Sequence, residues 1–217
     1  DKALNRSFMQ EKTSYVGVKQ HFNAPFPKNL VALHNFEGGY CGLSQVENQV
    51  VNLCYLTSTA VFQRYRDVNQ LHQKHLTQNP FLKEFLKNAE PAFEKPLVIS
   101  QVNFKPKPQV ENHVLMLGDA AGMIHPLCGN GMAMAIHGAK LAAEQSLLFL
   151  NQKIGRAELE RNYQQQWQNA FSSRLRFGRN AQKLFGRNSL SNLGVGLAQK
   201  SPALLKQVVT LAHGKYI

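Results

Sequence analysis

The segment 118–133 constrains this chain more than any other part of its sequence. It reads Gly-Asp-Ala-Ala-Gly-Met-Ile-His-Pro-Leu-Cys-Gly-Asn-Gly-Met-Ala, and the apolar run Val-Leu-Met-Leu at 114–117 comes directly before it. The run predicts a strand buried on both faces, and the alanine-rich periodic stretch 131–150 predicts a helix. Open α/β sheets bind ligands where such a strand turns into a helix, so we place a ligand site here.

Two features of this segment suit a ligand that carries hydroxyls and negative charge. Asp119 follows the predicted strand, where its carboxylate can accept hydrogen bonds from ligand hydroxyls. Gly129 and Gly131 flank the predicted helix start, where the first backbone N–H groups lack intrahelical partners and attract negative charge. A Gly-Asp pair alone occurs in many strand-to-helix turns, so the prediction depends on all these features together.

The order of these features resembles one known group of proteins. The strand, the Gly-Asp-Ala-Ala-Gly turn at 118–122, the proline at 126 and the Gly-Asn-Gly-Met helix start at 129–132 resemble FAD-dependent oxidoreductases of the para-hydroxybenzoate hydroxylase fold. That group includes aromatic hydroxylases, flavin halogenases and geranylgeranyl reductases. The segment is most similar to the geranylgeranyl reductase branch, since hydroxylases commonly have histidine at the position of Gly122.

The resemblance implies FAD as the cofactor and NAD(P)H as the electron donor. It implies that the following residues bind FAD: Gly118, Asp119, Ala120, Pro126, Gly129, Asn130, Gly131, Met132 and Ala133. Asp119 would hold the ribityl chain, and Pro126 would border the ring system. The backbone amides near residues 131–133 would face the pyrimidine edge of the ring.

The rest of the chain predicts an α+β fold. Residues 15–22, 29–35 and 50–56 read as consecutive antiparallel strands, and 59–87 has helical periodicity. Residues 97–104 read as extended, and Lys-Pro-Lys-Pro at 105–108 as a surface crossing. Long helices are predicted over 157–184 and 202–213. We therefore divide the chain into a substrate-covering, mostly antiparallel sheet with flanking helices (1–108), the C-terminal part of a Rossmann-like FAD-binding domain (109–152) and a helical segment (153–217).

Candidates for substrate binding and catalysis are fewer. Tyr40 and Cys41 lie in a glycine-rich stretch, 38–42, which we interpret as a turn; it resembles the Gly-Gly-Tyr turn of the reductases, so both are candidate pocket residues. Tyr40 and His125 are the catalytic candidates, because a histidine near a ligand can donate a proton near neutral pH. The alternative for His125 is a partly exposed loop residue. Cys128 precedes the predicted helix, an environment that lowers a thiol pKa, although a structural role is favoured.

Composition limits the remaining classes of function. Three cysteines without a Cys-x-x-Cys pair predict no disulfide framework and no metal site. Without a leader or membrane-spanning pattern, we expect a cytoplasmic protein, with peripheral membrane contact as an option. The net charge of +12 leaves one alternative function open, a basic non-catalytic module that binds nucleic acid or anionic membrane.

The resemblance also implies a second half. Proteins of the group begin with a Gly-x-Gly-x-x-Gly unit that binds the ADP part of FAD, and only a poor match, at 194–199, is present in this sequence. We expect a missing N-terminal half as a partner and an isolated chain that is inactive. The expected function is an oxidoreductase, either reductase or monooxygenase, for an apolar, isoprenoid-like or polycyclic aromatic substrate, with no nucleic acid as partner.

Overall fold

The computed structural model describes residues 2–9, 14–65, 67–185, 196 and 201–213. The described residues form two compact units: the first contains those up to Asn103 together with Phe185, and the second contains 104–184, 196 and 201–213. The boundary therefore lies before 104–108 instead of after it. The second unit also includes residues 156–184, which the sequence assigns to a separate helical segment (153–217). The poor Gly-x-Gly-x-x-Gly match at 194–199 lies outside the described residues except for Gly196.

The first unit contains a six-stranded antiparallel sheet. Its strands are β1 (Tyr15–Asn23), β2 (Val31–Phe36), β3 (Gly39–Gln45), β4 (Val50–Ser58), β5 (Glu90–Pro91) and β6 (Leu97–Val102). The order is β2-β3-β4-β1, and both β5 and β6 pair with the free side of β1. The three strands predicted over 15–22, 29–35 and 50–56 are observed, but they are not consecutive in the sheet, because β1 pairs with β4 and β3 lies between β2 and β4.

Strand β3 corrects one sequence interpretation. We had read 38–42 as a turn, but the turn is limited to Glu37 and Gly38, and Gly39 already belongs to β3. A side chain at Gly39 would overlap the Leu56 carbonyl and the Phe36 ring. Glycine is required at this position because neighbouring groups of the sheet occupy the space, not because the chain turns.

Three short helices follow β4 and contribute to the core on one face of the sheet: α1 (Thr59–Phe62), α2 (Val68–Lys74) and α3 (Pro80–Asn88). The core joins alternate strand residues such as Val18 and Leu53 to helical residues such as Leu71 and Leu82. Helix α3 begins at Pro80, directly after Asn79. The Asn79 side chain accepts hydrogen bonds from the N–H groups of Phe81 and Leu82, and Pro80 occupies the first turn.

Among its described residues, the second unit contains a short hairpin and three helices of twelve residues or more. The hairpin is formed by β7 (Val110–Glu111) and β8 (Val114–Leu115), and the helices are α4 (Gly131–Leu150), α5 (Arg156–Phe185) and α6 (Pro202–His213). The helix bounds agree with the predicted ones within a residue. Side chains of α5 reach the segment before α4: the Tyr163 hydroxyl donates to the Met116 carbonyl, and Trp167 lies against Gly122.

The predicted doubly buried strand at 114–117 is not observed. Only Val114 and Leu115 form a strand, and among the described residues it pairs with β7 alone. Val114 and Leu117 are nearly half exposed, whereas Met116 is buried. An apolar run predicts burial but does not provide the neighbouring strands that a doubly buried strand requires.

Candidate functional site

The Gly-Asp pair lies in a tight turn, Gly118–Ala120, directly after β8 and Leu117. Gly118 adopts a left-handed backbone conformation (φ +54°), which glycine tolerates better than other residues. The turn is closed by hydrogen bonds from the N–H of Ala120 to the Leu117 carbonyl and from the N–H of Ala121 to the Gly118 carbonyl. Asp119 is exposed, so its carboxylate is accessible to a ligand.

A hydrogen bond from the Lys107 side chain stabilises the same turn. Its ammonium group donates a hydrogen bond of 2.8 Å to the Asp119 carbonyl, and the residue is only 7% exposed. The predicted surface crossing at 105–108 is therefore wrong for Lys107, although Lys105, Pro106 and Pro108 are exposed. In an extended segment every second side chain points to the same side. Lys107 and Gln109 are both buried on that side.

The start of α4 presents backbone amides next to this turn. The Met134 N–H donates to the Asn130 carbonyl, so the amides of residues 131–133 precede the regular hydrogen bonds of the helix. The Asn130 side chain does not cap the helix. Met132 is 83% exposed. A helix of 20 residues carries partial positive charge at this end, which favours an anionic or electron-rich group.

The structure brings the two predicted parts of the site together within the second unit. A Cβ atom on Gly118 would lie 3.6 Å from the Cβ atom of Ala135 in α4, so the turn packs on the first turns of the helix. Asn130 is the buried member of the predicted set; the following are at least partly exposed: Gly118, Asp119, Ala120, Pro126, Gly129, Gly131, Met132 and Ala133.

His125 is buried, which corrects its interpretation as a partly exposed loop residue and weakens its case as a proton donor. It is 2% exposed, its ring lies 4.8 Å from the Phe104 ring, and Gly178 of α5 packs against it. Burial lowers the pKa of His125 to about 4. The imidazole is therefore neutral near pH 7 and is not a source of an acidic proton there.

The pKa of the Cys128 thiol also differs from what the nearby helix start predicts. It is buried in a turn, Pro126–Cys128, beside Gly178, and burial raises the pKa of its thiol. Burial outweighs the effect of the nearby helix start, so the thiol is protonated at neutral pH. This agrees with the structural role favoured from the sequence.

Tyr40 and Cys41 lie in the sheet of the first unit. They are consecutive in β3, so their side chains point to opposite faces. Cys41 belongs to the core shared with α2 and α3 and is fully buried. Only one of the two can therefore line a common pocket, and Tyr40 is the one that lies outside this core.

Two other kinds of site are absent from the part of the chain that the structure describes. No group of three or more histidine, cysteine or acidic side chains is arranged to hold a metal ion. No described helix combines the length and apolar character needed to cross a bilayer.

Comparison with known proteins points to flavin enzymes. Residues 77–155, which include the Gly-Asp turn and all of α4, match the squalene epoxidase family. Over 138 residues the chain is 28% identical to conditioned medium factor receptor 1 of Dictyostelium discoideum, covering 61% of this chain and 26% of the receptor. Over 116 residues it is 32% identical to an uncharacterized protein of Methanocaldococcus jannaschii, covering 52% and 28% of the two chains.

Several solved structures share the fold. The flavin-dependent brominase Bmp2 superposes with a TM-score of 0.71 at 14% identity, covering 95% of this chain and 51% of the brominase. A variant of halogenase PltM in complex with FAD gives 0.63 at 17% identity, covering 93% and 47%. PqsL, a probable FAD-dependent monooxygenase from Pseudomonas aeruginosa, gives 0.58 at 15% identity, covering 83% and 51%.

These likenesses define the class. The chain has the α+β fold of FAD-dependent oxidoreductases, among which the matched structures are halogenases and a monooxygenase. It spans about half the length of these structures and about a quarter of the two sequence relatives. The alternative of a basic non-catalytic module finds no support in them.

Proposed function

We propose that this chain supplies the flavin-facing part of an FAD-dependent oxidoreductase. One observation carries the proposal: an exposed Asp119 lies in a turn packed directly on the open N-terminal end of α4. A carboxylate that accepts hydrogen bonds and amides that favour negative charge are what a ribityl chain and the pyrimidine edge of a flavin require. The fold shared with the FAD-complexed halogenase variant supports the same assignment.

The residues present fit a flat ring. A Cβ atom on Gly129 would meet no other atom within 4 Å, and Met132 and Ala133 are exposed, so space is open in front of the helix start. In the proposed site, Pro126 borders this space and the amides of residues 131–133 face it. FAD, when bound, supplies the redox chemistry, while these residues position it and favour electron density at its pyrimidine edge.

The proposed substrate is apolar, of the isoprenoid-like or polycyclic aromatic class. The match of residues 77–155 to the squalene epoxidase family supports this, because that family by its name acts on squalene. The resemblance to geranylgeranyl reductases points to the same chemical class. Tyr40 is the proposed pocket residue, since a phenol offers both apolar surface and a polar group. NAD(P)H is the proposed electron donor, and a cytoplasmic location with peripheral membrane contact would suit such a substrate.

We also propose a further polypeptide segment that completes the FAD site, as the shorter span of this chain suggests. Exposed apolar residues on α4 mark where it would pack. They recur every three or four positions along one side of the helix, as Met132, Ile136, Ala139, Ala143, Leu147 and Leu150. An exposed apolar stripe along one side of a helix normally packs against another element, although Lys140 and Glu144 interrupt the exposed side of α4.

FAD retention tests the proposal. The chain, joined to the polypeptide that completes it, is expected to purify as a yellow protein. Asp119→Ala should weaken FAD binding by roughly ten- to a hundredfold, the effect of losing charged hydrogen bonds. The FAD affinity of Asp119→Asn, which keeps one acceptor oxygen, should lie between the affinities of the unchanged protein and of Asp119→Ala. A colourless completed protein in excess FAD, or equal retention by all three, would overturn the assignment.

Turnover with and without oxygen separates the two reaction types. A reductase should consume NAD(P)H and saturate an apolar alkene under anaerobic conditions. A monooxygenase should form product only when oxygen is present. The flavin site does not distinguish them, because both types must hold the same reduced ring.

A further inference from the structure

The second unit contains a cavity that is distinct from the proposed flavin site. It has a volume of about 250 Å³ and is bounded by residues 104–109, by 121–123 and by one side of α5. Its apolar wall includes Trp167, Leu175 and Phe104, all nearly buried. None of the residues proposed to bind FAD lines it. We refer to this cavity as the basic cleft.

The cleft is positively charged. Lys105, Lys107, Arg176 and Arg179 line it, and none of its described lining residues is acidic. Arg176 and Arg179 are three positions apart on α5, so they lie on the same side of the helix. Several like charges around one small, partly enclosed space repel each other, and an anion between them relieves that repulsion.

The polar part of the cleft is held in place. The Gln109 side chain donates a hydrogen bond of 3.1 Å to the Ala121 carbonyl and accepts one of 3.2 Å from the Gln168 side chain. Lys107 is fixed by its bond to the Asp119 carbonyl. The wall around the cations is therefore ordered before any ligand arrives, which lowers the cost of binding.

We propose that the basic cleft binds the oxyanion group, phosphate or carboxylate, of a small organic ligand. Arg176 and Arg179 would contact the oxyanion, because planar guanidinium groups match its geometry. Trp167 and Leu175 would contact the apolar part of the ligand. The volume is below the roughly 300–1,000 Å³ of pockets that enclose whole ligands. It therefore suits one end of a ligand.

The chain contains its own reporter of this site. Trp167 is its single tryptophan and lines the cleft, so all tryptophan fluorescence comes from a residue of the cleft. The 217-residue chain is titrated at constant ionic strength with inorganic pyrophosphate, with benzoate and with the neutral benzamide. We expect a saturable change in emission with pyrophosphate or benzoate, and none with benzamide. A response to pyrophosphate alone assigns a phosphate site, and a response to benzoate alone assigns a carboxylate site.

Paired variants test the named residues. Arg176→Gln with Arg179→Gln should weaken binding by roughly tenfold or more. Arg156→Gln with Arg161→Gln removes the same charge from α5 outside the cleft and should leave binding unchanged. Far-UV circular dichroism checks folding, and calorimetric titration measures binding without fluorescence. Equal weakening by both pairs, or no saturable binding of either anion by the unmodified chain in calorimetry, would overturn the proposal.

Discussion

At the scale of single residues, glycine is present at different positions of the 118–133 segment for different physical reasons. Gly122 is required by its neighbour, since a Cβ atom there would lie 2.6 Å from the Trp167 ring. Gly131 is not crowded in this way, since the nearest atom to an added Cβ would be a methyl group of Ile124 at 3.7 Å. Gly122 therefore serves packing, and Gly131 is open to a role in ligand approach.

Gly131→Ala should separate folding from cofactor binding. The added methyl group makes an ordinary contact with Ile124, so we expect the free energy of unfolding to be unchanged or slightly increased. FAD affinity of the completed protein should fall by roughly tenfold or more, because crowding a close contact costs about 1–3 kcal/mol. Chemical denaturation and FAD titration measure the two effects. Unchanged affinity would show that the ring does not approach this glycine.

Gly122→Ala and Gly138→Ala form a matched pair against the same tryptophan. At Gly122 the methyl group overlaps Trp167, so the variant should lose about 1–3 kcal/mol of stability and shift tryptophan emission. At Gly138, inside α4, it would lie 3.5 Å from Trp167, and the gain in helix propensity should stabilise by roughly 0.5–1 kcal/mol. If urea denaturation shows that the two variants change the free energy of unfolding in the same direction, this account is contradicted.

At the scale of elements, periodic segments could be predicted and contact-dependent ones could not. The bounds of α4 and the Asn79 cap follow from local sequence. So do β1, whose apolar residues alternate, and β4, which is rich in β-branched and aromatic residues. Strand β3 was missed because its glycines resemble a turn, although Phe36 and Leu56 explain Gly39. The burial of Lys107 depends on a carbonyl twelve residues away, and the burial of His125 on α5, and neither partner can be read from local sequence.

The exposed stripe of α4 yields a prediction at this scale. Ile136 is 70% exposed, so Ile136→Glu should change the stability of the isolated chain by less than about 0.5 kcal/mol. In the completed protein the same change should destabilise by several kcal/mol, because it would bury an unpaired charge. Gln165→Glu, on an exposed part of α5, is the control. Equal melting temperatures of the completed protein with and without the Ile136 change would contradict packing on this stripe.

At the scale of the whole molecule, each unit contains a buried histidine whose protonation in acid destabilises the folded state. Burial lowers the pKa of His72 in the first unit and of His125 in the second to about 4, against about 6.5 in an unfolded chain. Between these values the unfolded state binds more protons, so stability is complete above about pH 6.5 and is lost as pH falls toward 4. Each histidine contributes on the order of 3 kcal/mol to this loss.

The slope of stability against pH tests this effect. Urea denaturation between pH 4 and pH 7 should show stability rising with pH. His72→Phe keeps a ring against its aromatic neighbours Phe22 and Tyr55 but removes the titrating group, so the slope should decrease by about one proton. An unchanged slope in this variant would mean that His72 does not titrate differently in the folded and unfolded states.

The position of β1 also has a consequence for how the chain folds. β1 is synthesised before the other strands of its sheet, yet it lies inside the sheet, with β4 on one side and β5 and β6 on the other. Strands β2, β3 and β4 can pair with their neighbours in sequence, but β1 must wait for β6 to complete its second edge. Until then that edge remains open to pairing with other chains. We therefore expect shortened chains that end before Leu97 to aggregate during expression.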